Sequence, residues 1–387
     1  MKGIIENIFK YRLSQSSKDR NIDPWIIIAL VPIVSAGLIT MNSFTGDNSV
    51  VMHQLVWLCV SLVAFLLLSK AHIRFIRSTW VSVVLFVVSV SLLGVLTILG
   101  KVSHGAESWF SFGFFSFQPS DFAKIALIII LAKYFSRRHI EIANIRHILV
   151  SGFYAFVIFI MVLSHPDLGS AMIIFFIWLG MVMVSGISKK HLFSMIAIGA
   201  IALTLLWSFG FKEYQKNRIR SFVNPLSDIH GIGYNAYQST IAVGSGGLLG
   251  KGLGYGTQSR LKFLPEYQTD FIFAAFAEEW GFVGVIIIFA MYGLLVVRII
   301  MNAMLGATNF EILFGVGVAV YFIVHIIVNV GMNLQLLPVT GTPLPFMSYG
   351  GTHLLMEFSA LGLLMAMRGY SRSTHKDETK NEFLGPS

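Results

Sequence analysis

The amino-acid sequence predicts an all-α polytopic membrane protein with ten transmembrane helices, cytoplasmic N and C termini and one long extracellular loop. Three observations carry this. Of 387 residues, 55% are hydrophobic and only 12% charged, against roughly 25% charged in soluble domains. Mean hydropathy is +0.74. The apolar residues gather in runs approaching the roughly 20 residues a helix needs to cross a ~30 Å hydrocarbon core, whereas barrel strands would alternate polar and apolar over about ten.

In chain order the expected spans are 24–42, 50–69, 79–100, 119–135, 147–164, 168–187, 191–210, 270–298, 309–334 and 350–368, with residues 211–269 as the long loop. Short cytoplasmic loops are enriched in Lys and Arg, and these fix the orientation. The N-terminal tail carries Lys2, Lys10, Arg12, Lys18 and Arg20. Alternate loops carry Lys70, Arg74 and Arg77, then Lys133, Arg137, Arg138 and Arg146, then Lys189 and Lys190, then Arg298. The C-terminal tail adds Arg368, Arg372, Lys376 and Lys380. On the other side the short loops hold only Lys101, and seven cations fall in the long loop, which this rule weighs little.

The net charge of +9 is then accounted for by topology and anionic lipid headgroups, with no call for nucleic acid. The expected organisation is a cytoplasmic tail over 1–23, a membrane domain over 24–369 and a charged, disordered cytoplasmic tail over 370–387. Residues 1–23 lack the apolar core and cleavage site of a signal peptide, so the first span is expected to remain as an anchor. Cys59 is the single cysteine and lies in the second span. This excludes an intrachain disulfide and a cysteine-based metal site.

The long loop mixes polar and apolar residues. Its "GYNAYQSTIAVGSGG" predicts an amphipathic helix in the membrane interface, with Tyr234 and Tyr237 at headgroup depth. The glycines from Gly244 to Gly256 do not make a phosphate loop, because Gly252 follows Lys251 where Ser or Thr is needed. They read as tight turns and close packing, or as a flexible gate over a groove.

Ionisable groups within spans are costly and tend to face the bundle interior or a cavity. Asp121 and Lys124, three apart at the start of the fourth span, share a helical face and read as an internal ion pair or as a site for an anionic group. In "SHPDLGSAM" Asp167 is placed to cap the sixth span. In "LPVTGTPLPFMSYGGTHLL" three prolines break any helix before Ser348, and broken backbone near membrane depth reads as the wall of a site. In "QTDFIFAAFAEEWG" Asp270 stands where polar chain meets an apolar run, with Glu278 two turns deeper on roughly the same face. A carboxylate at the outer mouth of a cavity suits a general base, although helix capping also accounts for it.

Together "QPSDFAK", "HPDLGSAM", "NRIRSFVNP", "AVGSGGLLGKGLGYGTQSRLKFLPE", "QTDFIFAAFAEEWG" and "PLPFMSYGGTHLL", in this order, resemble the SEDS (shape, elongation, division and sporulation) family and more closely its RodA members. The resemblance implies a ten-span enzyme of the bacterial cytoplasmic membrane. Such an enzyme polymerises lipid II, the undecaprenyl-pyrophosphate-linked disaccharide, into glycan strands beside a class B penicillin-binding protein. It implies Asp270 as the essential aspartate, acting as general base on the acceptor hydroxyl. Asp121, Lys124, Asp167, Arg218, Arg220, Glu278 and Ser348 are the candidate substrate-binding residues. Lys124, Arg218 or Arg220 would stabilise the departing pyrophosphate. A divalent cation would serve the same end, but no ligand cluster identifies one. The alternative function is a lipid II flippase or other lipid transporter, since transporters also show intramembrane charges and broken helices. The expected discriminator is depth: transport needs its charges near the midplane, and topology places Asp270 at the outer rim.

Overall fold

The computed structural model describes residues 22–384 apart from 45–48, 100, 104–105, 112–115, 138–144, 211–212, 225–231 and 262. The cations expected in the N-terminal tail therefore lie outside the described residues. Helices cover each of the ten expected ranges: α1 (Pro24–Phe44), α2 (Ser49–Leu68), α4 (Thr79–Leu99), α5 (Pro119–Ser136), α6 (Ile145–Ser164), α7 (Leu168–Val184), α8 (Lys189–Leu205), α12 (Ile272–Met304), α13 (Asn309–Asn333) and α14 (Gly351–Leu384). Between them lie the short α3 (Ile73–Ile76), α9 (Glu213–Val223), α10 (Ile232–Ser245) and α11 (Thr257–Arg260). A π-helical turn, Leu206–Gly210, follows α8.

Six of these, α1, α2, α4, α6, α12 and α13, are long and apolar enough to cross a bilayer, so this is a multi-pass membrane protein. The others fall short on length or carry more charge; α5, for instance, holds Asp121, Lys124 and Lys133. Helix α10 covers the segment expected to be an amphipathic helix. Two expectations are corrected. The chain is not wholly helical, because β1 (Lys101–Ser103), β2 (Ala106–Ser111) and β3 (Ser116–Phe117) form a small antiparallel sheet in the order β1-β2-β3. The last helix also continues to Leu384, where a disordered tail was expected; Lys, Glu and Arg are good helix formers and extend a helix already nucleated by its packed first turns.

Helices α5 and α13 occupy the centre, buried around most of their circumference, as helices that are apolar on every side must be. Helix α14 packs along α2, α12 along α1, and α5 against α4 and α13. At one end of the bundle Asp23, just before α1, gathers three helices. Arg298 of α12 donates to it through Nε at 2.9 Å and also through Nη2, Asn302 donates at 2.8 Å, and Arg368 of α14 lies 3.2 Å away. This cluster marks the base level of the bundle.

Helix α12 is not straight. Gly281 has φ 65° and ψ −168°, a conformation open only to glycine, and it divides α12 into limbs 272–280 and 282–304. Phe273 and Phe289 stack with ring centroids 5.7 Å apart, although sixteen residues of straight helix would separate them by ~24 Å. The first limb therefore folds back along the second. Such a break leaves helix-end N–H and C=O groups without intrahelical partners, and burial demands that they find others. The glycine-rich turn supplies them. Phe282 and Val283 N–H donate to the carbonyls of Gly247 and Leu248 at 2.9 and 3.1 Å, and Lys251 and Gly252 N–H donate to those of Glu278 and Glu279 at 3.0 Å each. Backbones approach so closely here that a Cβ at Gly281 would lie 2.7 Å from Leu248 O. Tight turns and close packing, the first of the two readings of this stretch, account for these glycines.

Candidate functional site

Asp270 sits immediately before α12, partly exposed, and its main chain is fixed from two directions. From α13, Asn329 and Asn333, one turn apart, each donate through Nδ2 to the Asp270 carbonyl at 3.0 Å. Asn329 also donates to Thr342 O at 2.7 Å, and Asn333 Oδ1 accepts the Ala274 N–H at 3.1 Å. From the proline-rich segment, Ser348 Oγ donates to Thr269 O at 2.6 Å and Tyr349 N–H donates to Gln268 O at 2.8 Å. These contacts fix the main chain from which the Asp270 side chain projects. A Cβ at Gly341 would lie 3.4 Å from Asp270 Oδ2, so the carboxylate lies over Gly341, itself at φ 72°.

The segment beneath the carboxylate joins further groups. Arg218 of α9 donates from Nη1 to Thr340 O at 3.3 Å, while its Nε is buried without a hydrogen-bond partner. A pocket runs beside it, lined by Arg218, Ser221, Phe222, Ala236, Leu337 and Val339 among others. The start of α7 packs on the same segment at Gly169, where a Cβ would lie 2.7 Å from Thr340 O. Asp167 caps this helix, accepting the Ser170 N–H at 2.9 Å, with Gln118 Nε2 and Ser120 Oγ at 3.3 and 3.4 Å. The site thus unites an oriented carboxylate, a guanidinium with unused donor capacity and a polar helix start. That is the equipment for deprotonating a hydroxyl beside an anionic group.

A family described as cell cycle protein, FtsW/RodA/SpoVE, matches residues 21–373. The chain belongs to this family. Among FtsW/RodA/SpoVE proteins, it is similar to the peptidoglycan glycosyltransferase MrdB of Escherichia coli (strain K12), 32% identical over 92% of this chain and 96% of the relative. It is similar also to the stage V sporulation protein E of Bacillus subtilis, 34% identical over 90% and 94%. Two solved structures share the fold at 28% identity. One is a chain from a peptidoglycan synthase complex that coordinates polymerization and crosslinking, with a TM-score of 0.78, covering 90% of this chain and 98% of that one. The other is the rod shape determining protein RodA of Thermus thermophilus, with a TM-score of 0.68, covering 90% and 96%. The resemblance read from the motifs is a resemblance to this family.

The sequence-predicted residues separate into distinct places. Asp270 and Arg218 converge on residues 340–341, the helix that Asp167 caps packs on the same segment at Gly169, and Ser348 is buried behind as a backbone clamp. Arg220 points elsewhere, pairing on the surface of α9 with Glu213 and Asn217 at 3.1 Å each. Lys124 is 1% exposed and bonded to Asp121 at 2.9 Å. His353 of α14 lies 3.4 Å from Asp121 and 2.9 Å from Glu357, whose other oxygen accepts the Phe346 N–H at 2.9 Å. This is the internal ion-pair reading, enlarged by two residues the sequence reading passed over.

Glu278 is corrected in both place and part. The fold-back at Gly281 puts it farther from the Asp23 base level than Asp270, not deeper toward it. It is fully buried and accepts Lys251 Nζ at 2.8 Å and the Gln258 N–H at 3.1 Å, so it pins the glycine-rich turn and α11. By the same geometry Asp270 lies below the outermost tip of α12 by as much as the eight-residue rise of its first limb, ~12 Å. It stands back from that tip, toward the Asp23 level. Asn329, Asn333, His353 and Glu357 were missed although each pair has a visible signal, two polar residues four apart in an otherwise apolar run.

Proposed function

We propose that the protein is a peptidoglycan glycosyltransferase that polymerises lipid II at the outer face of the bacterial cytoplasmic membrane, serving cell elongation and shape, with Asp270 as general base. The carrying observation is the clamped Asp270 main chain with its carboxylate over Gly341, one residue from the Thr340 carbonyl that Arg218 holds. Names of the relatives agree with this chemistry. Asp270 takes the proton from the 4-hydroxyl of the acceptor GlcNAc. The hydroxyl oxygen attacks the anomeric carbon of the growing chain's MurNAc, the bond from that carbon to the pyrophosphate breaks, and undecaprenyl pyrophosphate departs with the bonding electrons. Attack opposite the leaving group inverts the anomeric centre.

Negative charge builds on the departing pyrophosphate, and Arg218 is the cation of the site placed to meet it. Lys124 is sealed in its ion pair and Arg220 faces away. Among the described residues no group of three or more His, Cys, Asp or Glu forms a cation site, and the mechanism routes no step through a metal. All ten long helices cross the membrane in this reading, with both termini in the cytoplasm and residues 211–269 outside. A class B penicillin-binding protein receives the glycan.

The alternative, translocation of lipid II, shares one observation: Asp270 lies back from the tip of α12, so depth does not by itself separate the two. Reaction product does. Purified protein with its class B partner should convert purified lipid II to glycan strands, and Asp270→Asn and Asp270→Ala should lose most of that activity while remaining folded, by about 10²–10⁴-fold for loss of a general base. Absence of polymer from the wild type, or normal polymerisation by both variants, defeats the proposal and makes a flippase assay the next measurement.

A further inference from the structure

The glycine-rich turn carries an apolar surface that neither the ion pairs nor the Asp270 site uses. Leu248, Leu249, Leu253 and Tyr255 are 71, 81, 50 and 69% exposed, on a segment belonging to a loop otherwise read as facing water. Two of these leucines adjoin the backbone ladder that joins the turn to Phe282 and Val283, which are themselves exposed on α12. The exposed apolar face of α12, continuing through Ile286, Ile287 and Phe289, therefore passes without interruption onto Leu248 and Leu249.

Two independent rulers set the height of this patch. Along the second limb of α12, Phe282 is sixteen residues from Arg298, or ~24 Å at 1.5 Å per residue. Along α1, Ser43 is twenty residues from Asp23, or ~30 Å. Both measurements start at the Asp23–Arg298 contact. Both end at the turn: the Phe282 N–H donates to Gly247 O at 2.9 Å, and a Cβ at Gly254 would lie 3.3 Å from Ser43 O. A hydrocarbon core is ~30 Å thick, so the turn lies at its far boundary. Trp280 and Tyr255, exposed at this level, are the residue types that mark membrane interfaces.

From this we infer that residues 246–255 form a re-entrant turn seated in the outer leaflet, with Leu248, Leu249 and Leu253 among acyl chains. The occupant of this surface is bilayer lipid, because the patch continues a lipid-facing helix side and ends where the hydrocarbon ends. Backbone at that depth is tolerated only with its polar groups satisfied, and the ladder to residues 278–283 does this for the Gly247 and Leu248 carbonyls and the Lys251 and Gly252 N–H groups. Bilayer contact then bears on the hinge at Gly281, and through the first limb of α12 on Asp270.

The test uses the full chain with Cys59 replaced by serine, carrying a fluorophore at Leu249→Cys or, separately, at Leu253→Cys, in nanodiscs containing brominated phospholipid. Ile286→Cys on the exposed face of α12 is the lipid reference and Glu213→Cys the aqueous one. The expected result is quenching at both loop positions within about twofold of the Ile286 reference, with protection from a membrane-impermeant maleimide. A loop that is unquenched and reactive lies in water, and one that is unquenched but protected is covered by protein, either a second copy or a partner. Either result overturns the inference, and neither depends on catalytic activity.

Discussion

Replacing Asp23 by alanine removes the one carboxylate on which α1, α12 and α14 converge. Asp23 is fully buried, and the Arg298 and Arg368 side chains are each 10% exposed. Removing one member of a buried pair costs about 3–5 kcal/mol, because the charge left behind has lost its compensation. Here two guanidiniums lose the same counter-charge and the Asn302 amide loses one of its two acceptors, so the upper part of that range applies, about 4–5 kcal/mol. At about 2 °C per kcal/mol for a large chain, the midpoint should fall by ~8–10 °C. Thermal unfolding in nanodiscs, followed by intrinsic tryptophan fluorescence, measures it. The carboxyl also predicts a pH signature. Burial alone would raise its pKa, but hydrogen bonds from Asn302 and Arg298 and the charges of Arg368 and Arg298 outweigh burial and hold it below the ordinary 3.8. A group depressed in the folded state stabilises fully above its unfolded value and loses that contribution as pH falls through the folded one. The gap in midpoint between wild type and Asp23→Asn should therefore be constant from about pH 5 to 8 and close below about pH 4. A variant melting within ~2 °C of wild type, or a gap that widens in acid, would refute the reasoning.

Gly281→Ala forces a side chain into a backbone conformation reserved for glycine and against Leu248 O, and should cost at least about 1–3 kcal/mol and release the turn, seen as faster proteolysis at residues 246–256. Gly341→Val sets a branched side chain at a left-handed backbone position beside the Asp270 carboxylate, so glycan synthesis and the melting midpoint should both fall. Asn329→Ala combined with Asn333→Ala frees the Asp270 carbonyl and should lower polymerisation rate about tenfold or more, because small misplacement of a catalytic group is amplified in rate; unchanged turnover would remove these asparagines from the positioning of Asp270. Glu357→Ala leaves the Phe346 N–H and His353 without their acceptor and should destabilise by about 1–3 kcal/mol, whereas Glu357→Gln keeps an oxygen toward Phe346 and should recover part of that loss in the same melting assay.

Much of this protein is legible along the chain. The apolar runs mark where the long helices form, six of them long and apolar enough to cross a bilayer, because a backbone in hydrocarbon must satisfy its own hydrogen bonds and a helix does so locally. Asp167 as a cap, Asp121 with Lys124 as an ion pair and Asp270 at the edge of an apolar run are likewise local patterns, and the motif series points to the family. What the chain does not display is any pairing of distant backbone. Gly281 within an apolar run reads as an ordinary mid-helix glycine, and only the ladder from residues 247–252 makes a fold-back there affordable in hydrogen bonds. That ladder reverses the order of Asp270 and Glu278 along the bundle and sets Asp270 back from the tip of α12. It also turns Glu278 from a candidate ligand contact into an anchor for the turn. Lys124 is sealed for a similar reason: His353 and Glu357 lie more than two hundred residues away in sequence and meet Asp121 only when α14 packs against α5. Local hydropathy determines which segments become helices, and long-range satisfaction of buried polar groups decides which side chains are left to act.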